Sequence, residues 1–205
     1  MSGLKATGMK PVIVGISGAS GVVLARGTVG ELLRRDVPTI VVCSNGGRLV
    51  WQEEMDEPFT EALAEWREHP RFTFYPISDL RAPIASGTYP TSGMVIVPCS
   101  MNSLASLAHG LSGNLLLRAA DVCLKERRRL VLVPRETPLH AIHLENMLTL
   151  ARMGAVLLPP VPAFYLKPRS IGDIVRFVVG RVLVALEVDP ALPGDLQYKE
   201  KGESR

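Results

Sequence analysis

Short, continuous apolar runs alternate along the chain with longer segments in which apolar residues recur at helical spacing. Pro11-Val-Ile-Val-Gly-Ile16, Pro38 to Cys43, Met94-Val-Ile-Val-Pro98, Leu130-Val-Leu-Val-Pro134 and Ala155-Val-Leu-Leu158 are runs of the first kind. They read as strands of a parallel sheet buried on both faces. Phe72 to Ile77 reads as a shorter strand. Val22 to Arg35 carries Val22, Leu24, Ala25, Val29, Leu32 and Leu33 as a broad apolar stripe, the mark of a helix packed on a sheet. Further helices are predicted around Trp51, Phe59, Leu63 and Trp66, from Asn102 to Ala108, from Leu115 to Lys125, from Leu139 to Met153 and from Ile171 to Leu186. Residues 78–92, rich in Ser, Pro and Gly, read as a loop.

Strands alternating with helices predict a single α/β domain over residues 10–188, a Rossmann-like (flavodoxin-like), doubly wound and mostly parallel sheet. Residues 1–9 are expected to be a disordered lead-in, and residues 189–205, which carry Pro, Gly and charges, an extended C-terminal arm. Leu111, Leu115, Leu116, Leu117, Met147 and Leu150 exceed the apolar demand of one small sheet, and Leu157 to Phe164 is apolar and Pro-rich. Both features point to packing against further copies of the chain.

Composition narrows the function. The 205 residues are 47% apolar and 21% charged, with a net charge of +3. That balance gives no reason to expect a nucleic-acid partner. No run approaches the length of a membrane span, and no signal peptide is evident, so a cytoplasmic location is expected. Cys43, Cys99 and Cys123 are scattered, an odd set that suits a reducing compartment. His140-x-x-His143-x-Glu145 does not place its side chains on one helix face, and no metal site is expected there. No His follows a strand to serve as the base of a hydrolytic triad.

Ligands of open α/β sheets bind beyond the carboxyl ends of the strands. Four such ends carry polar residues: Ser17 to Gly21, Cys43-Ser44-Asn45, Cys99-Ser100-Met101-Asn102-Ser103, and Arg135-Glu136. In the first, glycines let backbone approach an anion, the following helix N-terminus adds N–H groups, and Ser17 and Ser20 add hydroxyls. A plain tight turn with a Ser cap explains that loop alone equally well. The spacing Gly15-x-x-Gly18-x-x-Gly21 is not the dinucleotide GxGxxG, and the second strand ends on Cys43-Ser44 rather than an acid for ribose. A mononucleotide such as FMN fits better. Arg118 sits among apolar residues, so either a bound phosphate or a bridge to Asp121 would satisfy it. Glu136 beside Arg135 can act as a tunable acid or base.

Gly15-Ile-Ser-Gly-Ala-Ser-Gly21, Ile84-Ala-Ser-Gly87, Val97-Pro-Cys-Ser-Met101, Arg118-Ala-Ala-Asp-Val122, Leu124-Lys-Glu-Arg127, Leu132-Val-Pro-Arg-Glu136, Ile142-His-Leu-Glu-Asn-Met147 and Pro162-Ala-Phe-Tyr165 occur in this order. Residues 10 to about 188 thereby resemble the UbiX-type flavin prenyltransferases, formerly described as aromatic acid decarboxylases. The resemblance implies that reduced FMN accepts a dimethylallyl group at N5 and C6 from dimethylallyl phosphate, giving prenylated FMN for a UbiD-type decarboxylase. It implies FMN binding by Gly18, Ala19, Ser20, Ser44, Ser100, Met101, Asn102, Ser103 and Arg135. Lys125, Glu136, Tyr165 and Arg181 would hold or act on the prenyl phosphate, with Arg118 and Ser86 nearby and Glu54 close to the reacting atoms. It also implies a metal-free reaction and a homo-oligomer, a dodecamer built from trimers.

The sequence departs from the family pattern in three places. Asn45 stands where a Lys is common, Val22-Val23-Leu24 where an aromatic is usual, and Thr88 where a second Ser is common. Two rival functions share this fold: a flavin-dependent decarboxylase of cysteine conjugates, and a non-catalytic flavin-binding subunit of a decarboxylase complex. The first would need a catalytic His and substrate clamp that are not apparent, and the second would not need the set Lys125, Glu136, Tyr165 and Arg181.

Overall fold

The computed structural model describes residues 8–198. Six strands form one sheet: β1 (Val12–Ile16), β2 (Thr39–Cys43), β3 (Phe72–Phe74), β4 (Gly93–Cys99), β5 (Arg129–Pro134) and β6 (Val156–Leu157). Their spatial order is β3-β2-β1-β4-β5-β6, and every pairing is parallel. This is the doubly wound, Rossmann-like order, with its switch point between β1 and β4.

Period-two alternation within each apolar run builds two cores at once. Val12, Val14, Ile16, Val41 and Val95 face one side, where they pack on α1 (Val22–Arg34), α2 (Asn45–Glu54), α3 (Phe59–Arg67) and α7 (Ile171–Ala185). Ile13, Ile40, Val42, Met94 and Ile96 face the other, packing on α4 (Met101–Ala108), α5 (Leu115–Lys125) and Leu150 of α6 (Ala141–Arg152). Burial on both faces is why the runs are continuously apolar. Gly27 lets α1 and α7 approach closely, since a Cβ there would lie 3.1 Å from Val179.

The observed elements depart from the predicted ones where local chemistry intervenes. The helical stretch through Trp51 and Trp66 is two helices, because α3 starts after Pro58, which has no N–H to continue a helix. Trp51, Phe59 and Trp66 then meet edge-to-face, with centroids 5.2 to 6.2 Å apart, and pin both helices to the sheet. β3 stops at Phe74, two residues before Pro76. The expected lead-in over residues 1–9 falls almost wholly outside the described residues. The expected extended arm is, over residues 189–198, folded back: Asp189 pairs with Arg35 at 2.8 Å and Leu196 is buried.

The surplus apolar surface also differs from expectation. Leu115, Leu116, Leu117 and Leu150 belong to the core. Outward-facing apolar residues include Ile142, Leu144 and Leu148 of α6, with Leu111, Val161 and Phe164. On α6 the pattern is inverted, since Asn146 is 6% exposed while Ile142 is 60% exposed.

All three cysteines are buried and unbridged. Burial pushes each thiol up to about 12, so each stays protonated at neutral pH. Iodoacetamide should therefore leave the native protein unmodified and label all three sites in denaturant; mass spectrometry showing rapid labelling of the native fold would contradict this burial.

Candidate active site

At the carboxyl edge of the sheet the loops after β1, β2, β4 and β5 come together. Ser17 is 1% exposed. Its hydroxyl donates to the Pro98 carbonyl at 2.9 Å and accepts from the Ser100 amide at 2.8 Å. It ties the end of β1 to the end of β4 across the switch point, so it is not the ligand donor that the sequence suggests. Ser44 accepts from the Gly47 amide at 3.0 Å and caps α2. Ser100 accepts from the Ser103 amide at 3.2 Å and caps α4, and its hydroxyl donates to that of Ser103 at 3.1 Å. Capping thus accounts for part of the polar cluster.

Gly46 and Gly47, which sequence reasoning did not single out, help set the shape of this edge. A Cβ on Gly18 would lie 3.0 Å from the Gly46 backbone, and one on Gly47 would lie 2.7 Å from the Ile16 carbonyl. The first loop and the start of α2 therefore touch backbone to backbone. The signal was present in Asn45-Gly46-Gly47, where glycine opens a helix despite its poor propensity.

Gly21, with φ of 104°, precedes α1 and supplies no side-chain cap. Glu54 takes that role from the end of α2: its carboxylate accepts from the Gly21 amide at 2.8 Å and the Val22 amide at 3.1 Å. An anion already sits on the helix N-terminus, as the dipole favours. The amides of Gly18 and Ser20, and the Ser20 hydroxyl, have no hydrogen-bond partner among the described residues. The part of the loop left without a partner is thus narrower than Gly18 to Gly21. Arg135 and Glu136 follow β5 into the same edge, both exposed. They do not pair with each other: Glu136 accepts from the Thr137 amide at 3.0 Å.

The other predicted residues lie elsewhere. Arg118, Asp121 and Lys125 share one face of α5 by their spacing. Arg118 donates to the Ala85 carbonyl at 3.0 Å and to Asp121 at 2.6 Å. Lys125 pairs with Glu126, whose carboxyl it holds below the usual range. Gly87 lies against Lys125, with a Cβ there only 2.6 Å from Nζ. Ser86 and Thr88 share a hydroxyl hydrogen bond at 2.9 Å, so Thr88 keeps the hydroxyl pairing available to a Ser. Lys125 precedes β5, whereas Glu136 follows it, so the two lie toward opposite edges of the sheet, roughly 17–20 Å apart along a six-residue strand. Tyr165 and Arg181 share a hollow beside α7. The sheet itself separates α7 from α5.

The Flavoprotein family model matches residues 3–183. The flavin prenyltransferase UbiX of Methanocaldococcus jannaschii is 43% identical over 88% of this chain and 95% of its own length. The chain belongs to the UbiX flavin prenyltransferase family. Among solved structures, AnUbiX (PadA1) in complex with FMN and dimethylallyl pyrophosphate superposes with a TM-score of 0.86 at 40% identity, covering 95% of this chain and all of that one. A dodecameric FMN-dependent UbiX-like decarboxylase from Escherichia coli O157:H7 gives 0.85 at 39% identity, covering 93% of this chain and 100% of that one. Against that background, the UbiX-type residues of this chain occupy three places: the carboxyl edge, the outer face of α5 and the hollow beside α7.

Glu54→Ala would leave the first amides of α1 without their carboxylate. The expected cost is about 1 kcal/mol of stability, a fall in melting temperature of about 2–4 °C. An unchanged melting temperature would show that the Glu54 contact does not stabilise α1.

Proposed function

We propose that this chain is a flavin prenyltransferase. It joins the dimethylallyl group of dimethylallyl phosphate to N5 and C6 of reduced FMN and releases phosphate. The observation that carries the reading is the superposition of 95% of the chain on a UbiX structure holding FMN and dimethylallyl pyrophosphate. The unpaired amides at Gly18 and Ser20 suit the FMN phosphate, with Ala19, Ser44, Ser100, Met101, Asn102 and Ser103 lining the flavin and Arg135 supplying positive charge. Ser44 can act while still capping, because a hydroxyl that accepts from an amide retains its own proton to donate; Ser100 gives its proton to Ser103, whose hydroxyl proton then remains to donate.

The allylic C–O bond breaks with its electron pair leaving on phosphate as N5 bonds the prenyl CH2 carbon and gives up its proton; protonation of the remaining C=C by the released phosphate then makes a tertiary cation, which C6 attacks before losing its own proton. Arg118, Lys125 and Arg181 neutralise the phosphate charge as it develops and the Tyr165 hydroxyl donates a hydrogen bond to it, with Ser86 beside Lys125. Glu136 receives the proton lost from C6 and delivers it toward the leaving phosphate. Glu54, fixed at the start of α1, stands close to the flavin end of the site. No metal is assigned a role. The product, prenylated FMN, serves a UbiD-type decarboxylase.

A single subunit cannot assemble this set, because α5 and α7 lie on opposite faces of the sheet. The site is therefore completed between copies of the chain. The inverted apolar face of α6 and the exposed Val161 and Phe164 supply surface for such contacts. A dodecamer is the assembly we infer, as in the UbiX-like protein of Escherichia coli. The location inferred is cytoplasmic: the cysteines are unbridged, and no helix among the described residues is long and apolar enough to cross a membrane.

Wild-type protein supplied with reduced FMN and dimethylallyl phosphate should yield a flavin heavier by one isoprene unit on mass spectrometry. Glu136→Gln should retain flavin but lose transfer by roughly 10²–10⁴-fold, the span of general acid–base catalysis. Unaltered flavin from the wild type would favour a flavin-binding subunit; near-normal turnover in the variant would remove Glu136 from the proton route.

A further inference from the structure

The last described residues lie beyond the family match, which ends at residue 183. From Asp189 the chain runs back along the outer side of α7 and is held at successive points. Asp189 receives two bonds from Arg35, at 3.0 and 2.8 Å. Leu192 fits against Gly180, where any Cβ would come within 2.9 Å of its methyl group. Asp195 pairs with Arg176 through both carboxylate oxygens. Leu196 is 7% exposed. These anchors bring Tyr198 edge-on to Tyr165, with ring centroids 5.9 Å apart and planes at 66°.

Tyr165 stands on a single 3-10 turn, Phe164–Leu166, that buries none of its own residues and ends at Lys167 with φ of 52°. Tyr165 is 49% exposed, and the Tyr198 edge is one of the contacts that fix its ring. Arg181 follows Gly180 directly and makes no hydrogen bond or ion pair with any described residue. Tyr165, Arg181, Leu192 and Tyr198 line one hollow of about 360 Å³. A phenol and a guanidinium thus face a shared space whose wall is the C-terminal segment.

We propose that residues 189–198 form a strap that holds Tyr165 beside Arg181, and that Tyr198 is a positioning residue for the phosphoryl group of the substrate. The inference rests on the prenyl phosphate reading above. Tyr198 acts through Tyr165, so its loss weakens binding of the phosphoryl group without touching the flavin cradle or the proton route.

Full-length, FMN-loaded wild type, Tyr198→Ala, Tyr198→Phe and Leu196→Asp test this, with inorganic phosphate binding by calorimetry and transfer kinetics with dimethylallyl phosphate. Tyr198→Ala and Leu196→Asp should weaken phosphate binding and raise KM roughly three- to tenfold, with kcat and FMN affinity unchanged. Tyr198→Phe keeps the ring edge and should match wild type. Equal phosphate affinity in wild type and Tyr198→Ala, a defect that Phe does not restore, or a fall confined to kcat would overturn the strap. Absent transfer in the wild type would overturn the proposed function instead, and the phosphate affinities would then decide the strap alone.

Discussion

In a sheet whose strands all run one way, every strand-to-helix loop leaves at one edge and every helix-to-strand loop at the other. That polarity governs the placement of chemistry in this protein. The loops after β1, β2, β4 and β5 gather hydroxyls, amides, Arg135 and Glu136 at the carboxyl edge. Lys125 immediately precedes the opposite edge because α5 must return the chain to the start of β5. Tyr165 and Arg181 belong to the face that α7 covers. On the proposed reading, a reaction that uses all of these groups draws them from more than one subunit, because α5 and α7 lie on opposite faces of the sheet.

The carboxyl edge carries two kinds of polar group. Some complete the fold: Ser17 joins the ends of β1 and β4, Ser44 and Ser100 cap helices, and Glu54 caps α1 from a distance. Others remain open toward a ligand, namely the Gly18 and Ser20 amides and the Ser20 hydroxyl. The close approach of Gly18 to Gly46 keeps the open groups shallow and accessible, since any side chain at either position would displace the other loop.

Most of the sheet was legible because burial on both faces leaves an unbroken apolar run that few other structures require. The two-layer core followed from alternation within those runs. Less legible was what depends on contacts remote in sequence. Nothing near Ser17 announces that its hydroxyl serves Pro98 and Ser100, and nothing near Gly21 announces Glu54. The start of α2 was hidden by glycines that tertiary contact demands and helix propensity disfavours. The inverted face of α6 was hidden because a periodic apolar pattern shows that a face is covered without showing by what. The family motifs named a set of candidate site residues, but order along a chain cannot say which subunit's copy meets which.

Sharing of the site between subunits is most directly tested by complementation. Lys125→Ala and Glu136→Gln are each assembled alone and then co-assembled, and prenyl transfer to reduced FMN is measured in all three. Each variant alone should be nearly inactive, because every site lacks one group. The mixed oligomers should recover activity, since a site formed by Lys125 of one chain and Glu136 of another is intact in some of them. Mixed oligomers no more active than either variant alone would place both residues in one subunit's site and contradict the shared arrangement.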